Sequence, residues 1–131
     1  MTASDIRELR MHNQHLASPM FTHPDDIVYY MGAIQAQDFT GAKWAIAQRL
    51  KVATDELIEK AFTNGDIIRT HVMRPTWHFV HPKDIRWMLE LTAPRVIAIA
   101  GTQQRQFQLD NAIFSKCEKA LLQAMEGGKQ L

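Results

Sequence analysis

One stretch of this chain abandons the helical pattern of its neighbours. Ile67-Ile-Arg-Thr-His-Val and Trp77-His-Phe-Val-His are runs of β-branched and aromatic residues on either side of Met73-Arg-Pro-Thr. Such side chains fit the pleated, half-buried surface of a sheet, and a proline between them marks a turn. The pattern predicts a β-hairpin over Ile67 to His81. With Arg74 and Pro75 at its tip, residues whose numbers sum to 149 face each other, which sets Val72 opposite Trp77 and His71 opposite His78.

The flanks read as helices. Asp5 to Leu16 places Ile6, Leu9, Met11 or His12 and Leu16 near helical spacing, with Ser4 as a cap. A second helix begins at Pro24, carries Asp25 and Asp26 in its first turn where they complement the macrodipole, and is limited by Gly32. Residues 32–39 form an apolar and amide connection. Thr40 caps a third helix with Trp44, Ala45, Ala47 and Leu50 as its buried stripe, and Thr54 starts a fourth that stops at Asn64-Gly65. Beyond the hairpin, Lys83 to Leu91 and Pro94 to Gln108 read as two helices, and Asp110 caps a last one reaching Glu126 before Gly127-Gly128. The expected core includes Trp44, Trp77, Trp87, Phe62 and Phe79. Helices, one ribbon and more helices make an α+β, mostly helical fold. The order is that of a winged-helix-like domain with one β-hairpin and a helical extension, and a helical bundle with a decorative hairpin is the competitor.

At 131 residues the chain is expected to be a single domain, a winged-helix-like core over about 1–81 with an extension over about 82–131. Ordinary usage, 46% hydrophobic and 22% charged, excludes a disordered or collagen-like chain. The apolar run Val96 to Ala100 is far short of the roughly 20 residues that span a membrane. The amino terminus lacks the apolar stretch of a secretory signal, so a soluble, cytoplasmic protein is expected. Cys117 stands alone, which removes an intramolecular disulfide and a cysteine-based zinc cluster. Net charge is only +1, but residues 69–105 carry six basic side chains against Asp84 and Glu90. That segment forms either a local polyanion-binding patch or a solvated face with scattered arginines.

Few residues offer chemistry. Gln35 and Gln37 flank Ala36, and in an extended chain both amides point to one side. An amide cannot titrate, so such a pair orients water or grips a phosphate backbone but makes a poor general base. Capping of neighbouring helix ends is the structural alternative, and the spacing alone favours it. His71, His78 and His81 lack a cysteine or carboxylate to complete a four-ligand set, so no metal and no cofactor is expected. The imidazoles are polar members of a half-buried ribbon or donors to phosphate. Arg74 at a hairpin tip presents a planar fork to an oxyanion or is simply solvated. The helix before the hairpin, Thr54-Asp-Glu-Leu-Ile-Glu-Lys-Ala-Phe, holds three carboxylates and one lysine, which disfavours its entry into a major groove.

Four segments in order, Asn13-Gln14, Ala33-Ile-Gln-Ala-Gln-Asp, Gly41-Ala-Lys-Trp-Ala-Ile-Ala-Gln-Arg and Arg69-Thr-His-Val-Met-Arg-Pro-Thr-Trp-His-Phe-Val, carry a resemblance. Together they resemble the amino-terminal part of the winged-helix DNA-binding family that includes the AlkZ and YcaQ type DNA glycosylases. Members of that family are considerably longer, so the resemblance implies an amino-terminal piece, inactive alone, of a monofunctional enzyme. The implied reaction is hydrolysis of the N-glycosidic bond of alkylated purines and interstrand crosslinks in double-stranded DNA. Gln35 and Gln37 match the family's two-glutamine motif and are the implied catalytic residues. Asp38 is a candidate, by analogy with glycoside chemistry, for stabilising an oxocarbenium-like centre. Arg69, Arg74 and His78 are the candidate DNA-binding residues. A non-catalytic winged-helix DNA-binding protein and a protein-interaction module are the alternatives.

Overall fold

The β-branched and aromatic runs do pair as antiparallel strands in the computed structural model, which describes residues 1–73 and 76–128. The elements are α1 (Ala3–Asn13), α2 (Pro24–Met31), β1 (Ala33–Gln35), α3 (Phe39–Ala47), α4 (Asp55–Thr63), β2 (Ile68–Thr70), β3 (His78–Val80), α5 (Ile85–Gln106) and α6 (Asn111–Ala124). The mostly helical α+β class is therefore correct. The chain divides into two compact units, Met1–Ala93 and Pro94–Leu131, and the first takes in residues 82–93 of the expected extension.

The sheet differs from a lone hairpin. Its order is β1-β3-β2, all antiparallel, because the connection after Gly32 supplies a third strand. The hairpin register also shifts by one residue: Arg69 faces Phe79 and Thr70 faces His78, so paired numbers sum to 148. A two-residue tip requires an odd sum. An even sum needs an odd-numbered loop, and His71 consequently stacks on Trp77 instead of facing His78. The proposed tip, Arg74-Pro75, lies outside the described residues.

Alternation along the strands builds two cores. Ile34 and Phe79 face one way, into a cluster with Ile27, Val28, Ala42, Ile46 and Ile58 from α2, α3 and α4. Ala33, Ile68 and Val80 face the other way, against Val72, Ile85 and Met88. All three β3 residues are buried. Phe79 makes edge and tilted contacts with Phe39 and Phe62, which places three rings at the centre of the larger core.

The helix stripes correct the sequence reading at several points. In α3 the buried residues are Ala42, Lys43 and Ile46, while Trp44 is 66% exposed. The stripe is rotated because Ala42 and Ile46, four apart, face the sheet, and this turns Trp44 outward. Trp87 is likewise exposed and Trp77 half-buried, so the larger core rests on Phe79, with Phe39 and Phe62 against it, and on aliphatic side chains, not on the tryptophans. The N-cap of α3 is Asp38, not Thr40. Residues 85–106 form one helix that includes Pro94, where two had been expected. Proline removes one helical hydrogen bond, and the helix continues past that loss. Thr92 Oγ1 donates to the Val72 carbonyl and approaches the Met88 carbonyl, tying α5 to the end of the ribbon.

Local signals were otherwise obeyed. Pro24 opens α2, Gly32 closes it at φ +72°, and Thr54 Oγ1 accepts from Leu57 N–H to cap α4. Asp110 caps α6 through Ile113 N–H, and no residue of α6 is buried. The first helix begins earlier than Ser4 predicts, because Thr2 and Asp5 form a reciprocal capping box. Those hydrogen bonds hold the Asp5 carboxyl below its usual range.

Two cations join helices to one another. Lys43 Nζ reaches Asp55 at 2.8 Å and Glu59 at 2.5 Å, linking α3 to α4. The Asp55 and then the Glu59 carboxylate hold its ammonium above the ordinary lysine value. The contribution of the raised lysine is thus present at neutral pH and is lost as pH rises through its raised value. Arg49, 6% exposed, donates from Nε to the Gln14 carbonyl at 2.9 Å and from a terminal nitrogen to the Ala45 carbonyl. A further bond of 3.3 Å reaches Gln14 Oε1, and burial pushes the guanidinium below its usual value.

Because α1 buries no residue, it is held at its end by Arg49 at Gln14, by the Tyr30 hydroxyl, which donates to the Asn13 carbonyl at 3.1 Å, and by the His15 ring edge-on to Phe21 and Tyr30. Arg49→Met should release α1 while the sheet stays intact. Amide hydrogen exchange over residues 3–13 is expected to approach the unprotected rate, with protection in β3 unchanged. Unaltered protection over 3–13 would show that α1 is held by other means.

Candidate active site

The Gln-Ala-Gln segment emerges from β1, an edge strand of the sheet. Pairing continues one residue past the strand, since Ala36 N–H donates to the Trp77 carbonyl at 2.7 Å. Ala36 is completely buried while Gln35 and Gln37 are exposed, the alternation of an extended chain. Both amides therefore lie on the open side. Neither caps a helix: Gln37 Oε1 accepts from Trp77 N–H at 3.4 Å, and the Gln35 amide has no hydrogen-bond partner among the described residues.

Two further features fix the segment. Arg69, projecting from β2, donates from Nε and a terminal nitrogen to the Ala36 carbonyl at 3.1 and 3.0 Å, and more weakly to the Gln37 carbonyl at 3.4 Å. Its guanidinium lies 4.6 Å from the Trp77 ring centre and 5.5 Å from that of Phe39. The exposed His71 ring stacks on Trp77 at 4.1 Å. Next along the chain, Asp38 stands at the start of α3 without making a cap bond. A Cβ on Gly41 would come within 2.6 Å of Asp38 Oδ2, so glycine gives that carboxylate its room.

His78 occupies the row between Gln35 and Thr70 and is 2% exposed. Its Nδ1 donates to the Thr76 carbonyl at 2.9 Å, which a carbonyl partner requires. The third strand covers it: with β1 paired along the edge of β3 opposite β2, His78 lies between two strands instead of on an open ribbon. Arg74 lies outside the described residues. Among the described residues no three His, Cys, Asp or Glu side chains gather closely enough to hold a metal ion, and no helix is long and apolar enough to cross a membrane.

Sequence reasoning had Arg69 and Trp77 in view but missed what they do to the glutamines. The signal was the register. Once the paired numbers sum to 148, Arg69, Phe79, His71 and Trp77 fall on one face of the ribbon, the face against which Ala36 is buried.

One of the comparisons with known proteins finds a match. No curated protein and no solved structure matches the chain. The model of a family described as AlkZ-like DNA glycosylase matches residues 28–131, which takes in both glutamines, the whole sheet and the helices that follow. The match covers most of the sequence, and the chain belongs to the AlkZ-like DNA glycosylase family.

Proposed function

We propose that this chain is the amino-terminal, winged-helix portion of a longer DNA-repair enzyme that hydrolyses the N-glycosidic bond of alkylated purines, interstrand crosslinks included, in double-stranded DNA. The observation that carries the reading is the pair of exposed amides on either side of buried Ala36, in a family of DNA glycosylases. The element order α2-β1-α3-α4-β2-β3 fits a winged helix. In the second unit the exposed Ile113, Phe114, Leu121 and Leu122 fit a helical segment whose apolar side is meant for more protein.

The chemistry suits amides. A purine alkylated on its five-membered ring is already cationic, so it leaves without a strong general acid. As the bond from C1′ to the purine nitrogen breaks, its electron pair neutralises the departing base, and a water oxygen bonds to C1′. The water proton passes to solvent and an abasic site remains. Gln35 and Gln37 hold the water at C1′. Asp38, the next carboxylate, faces the positive charge that grows on the sugar. DNA is gripped by the ribbon and the basic residues after it, since α4 carries Glu56 besides the two carboxylates that Lys43 neutralises.

Three measurements on the full-length protein test the reading. Gln37→Ala should slow single-turnover release of an alkylpurine by roughly 100-fold while DNA binding and thermal stability persist. A wild-type rate would return the amide to a structural role. Because neither amide titrates and the leaving base needs no added proton, the wild-type rate should be flat from about pH 6 to 9, and a bell-shaped profile would require a different acid or base. Arg74→Ala should weaken binding to all sequences alike and lower the salt dependence by roughly one unit of slope. Unchanged binding at low salt would move the DNA contact elsewhere.

A further inference from the structure

We infer that Arg69 is a positioning residue for the two glutamines, acting through the Ala36 and Gln37 carbonyls and not through a DNA phosphate; the inference rests on the catalytic reading of Gln35 and Gln37.

The geometry is unusual for an arginine in a basic segment. Two of the guanidinium's donors converge on one carbonyl, Ala36, and a third contact reaches the next, Gln37. Its flat faces are occupied as well, with Trp77 and Phe39 both within cation–π range. An arginine held in this way presents little of its fork to an oxyanion. It does fix the peptide between the two glutamines, and that peptide sets the direction of both side chains.

The grip also reaches Gln37 by a second route. Trp77, stacked on Arg69, donates its backbone N–H to Gln37 Oε1 and accepts from Ala36 N–H. Of the two ends of an amide only the oxygen accepts, so this contact turns the Gln37 amide with its NH₂ end outward. Arg69 therefore holds the backbone of Gln37, and the ring it stacks on holds the side chain. Lysine could supply the charge but neither the paired donors nor the planar face.

Single-turnover base release and DNA binding across a salt series, on the full-length protein, separate the possibilities. Arg69→Ala should slow release by roughly 100-fold, the scale expected when a reacting group is displaced by about an ångström. Its affinity and salt slope should stay at wild-type values, in contrast to Arg74→Ala. Added methylguanidinium should restore about a tenth or more of the lost rate, which a merely destabilised fold would not do. Arg69→Lys should remain slow, and it carries the comparison if the alanine variant does not fold. A wild-type rate in either variant, or a salt slope lower by one unit, would overturn the inference. If Gln37→Ala itself cleaves at the wild-type rate, the catalytic reading falls and the inference with it. Slow Gln37→Ala beside fast Arg69→Lys overturns the inference alone.

Discussion

Everything in the first unit is arranged around β3, three residues whose edges and faces are all taken. β1 and β2 consume its two edges. Phe79 fills the core shared with α2, α3 and α4, and Val80 fills the smaller one against Met88 and Ile85. A strand buried on both faces leaves no unpaired backbone group to water, and a buried peptide group without a partner is costly. The short strand can therefore exist only with both neighbours present. That requirement brings residues 33–37 to the ribbon across forty positions of sequence, as the contact between Gln37 and Trp77 records.

The cations do much of the remaining joining. Lys43 ties α3 to α4, Arg49 ties the end of α1 to α3, and Arg69 ties β2 to the segment after β1. Each spends its hydrogen-bond donors inside the protein, two of them on backbone carbonyls that the local structure leaves open. A guanidinium is well suited to this because its donors lie in one plane and its weakly hydrated faces pack on aromatic rings. Of the basic residues in 69–105, Arg69 is spent in this way, so a bare count of that segment overstates by one the charge available to a polyanion.

The site inherits its rigidity from these same contacts. Amides are weak instruments that stabilise a transition state only when their direction is set beforehand, because reorienting them during reaction would cost what the alignment gains. Here the peptide between Gln35 and Gln37 is clamped by Arg69, Ala36 is fully buried beneath it, and Gly41 leaves Asp38 its place beside the pair.

What the sequence by itself determined was local. Thr54 and Asp110 as caps, Pro24 and Gly32 at the ends of α2, the two hairpin runs and the candidate glutamines were all legible, because a cap or a turn is settled by residues three or four apart. The tertiary structure decided the rest. It made Ala33–Gln35 a strand by giving it a distant partner, moved the ribbon register by one residue, turned Trp44 to the surface and covered His78. Each of those outcomes depends on which faces meet. A three-residue strand has too few positions to show its own period, and a tryptophan on a short helix shows its size but not the side from which the core approaches. Pairing between residues forty apart is chosen by the fit of the whole core, and no window of sequence contains both halves of that contact.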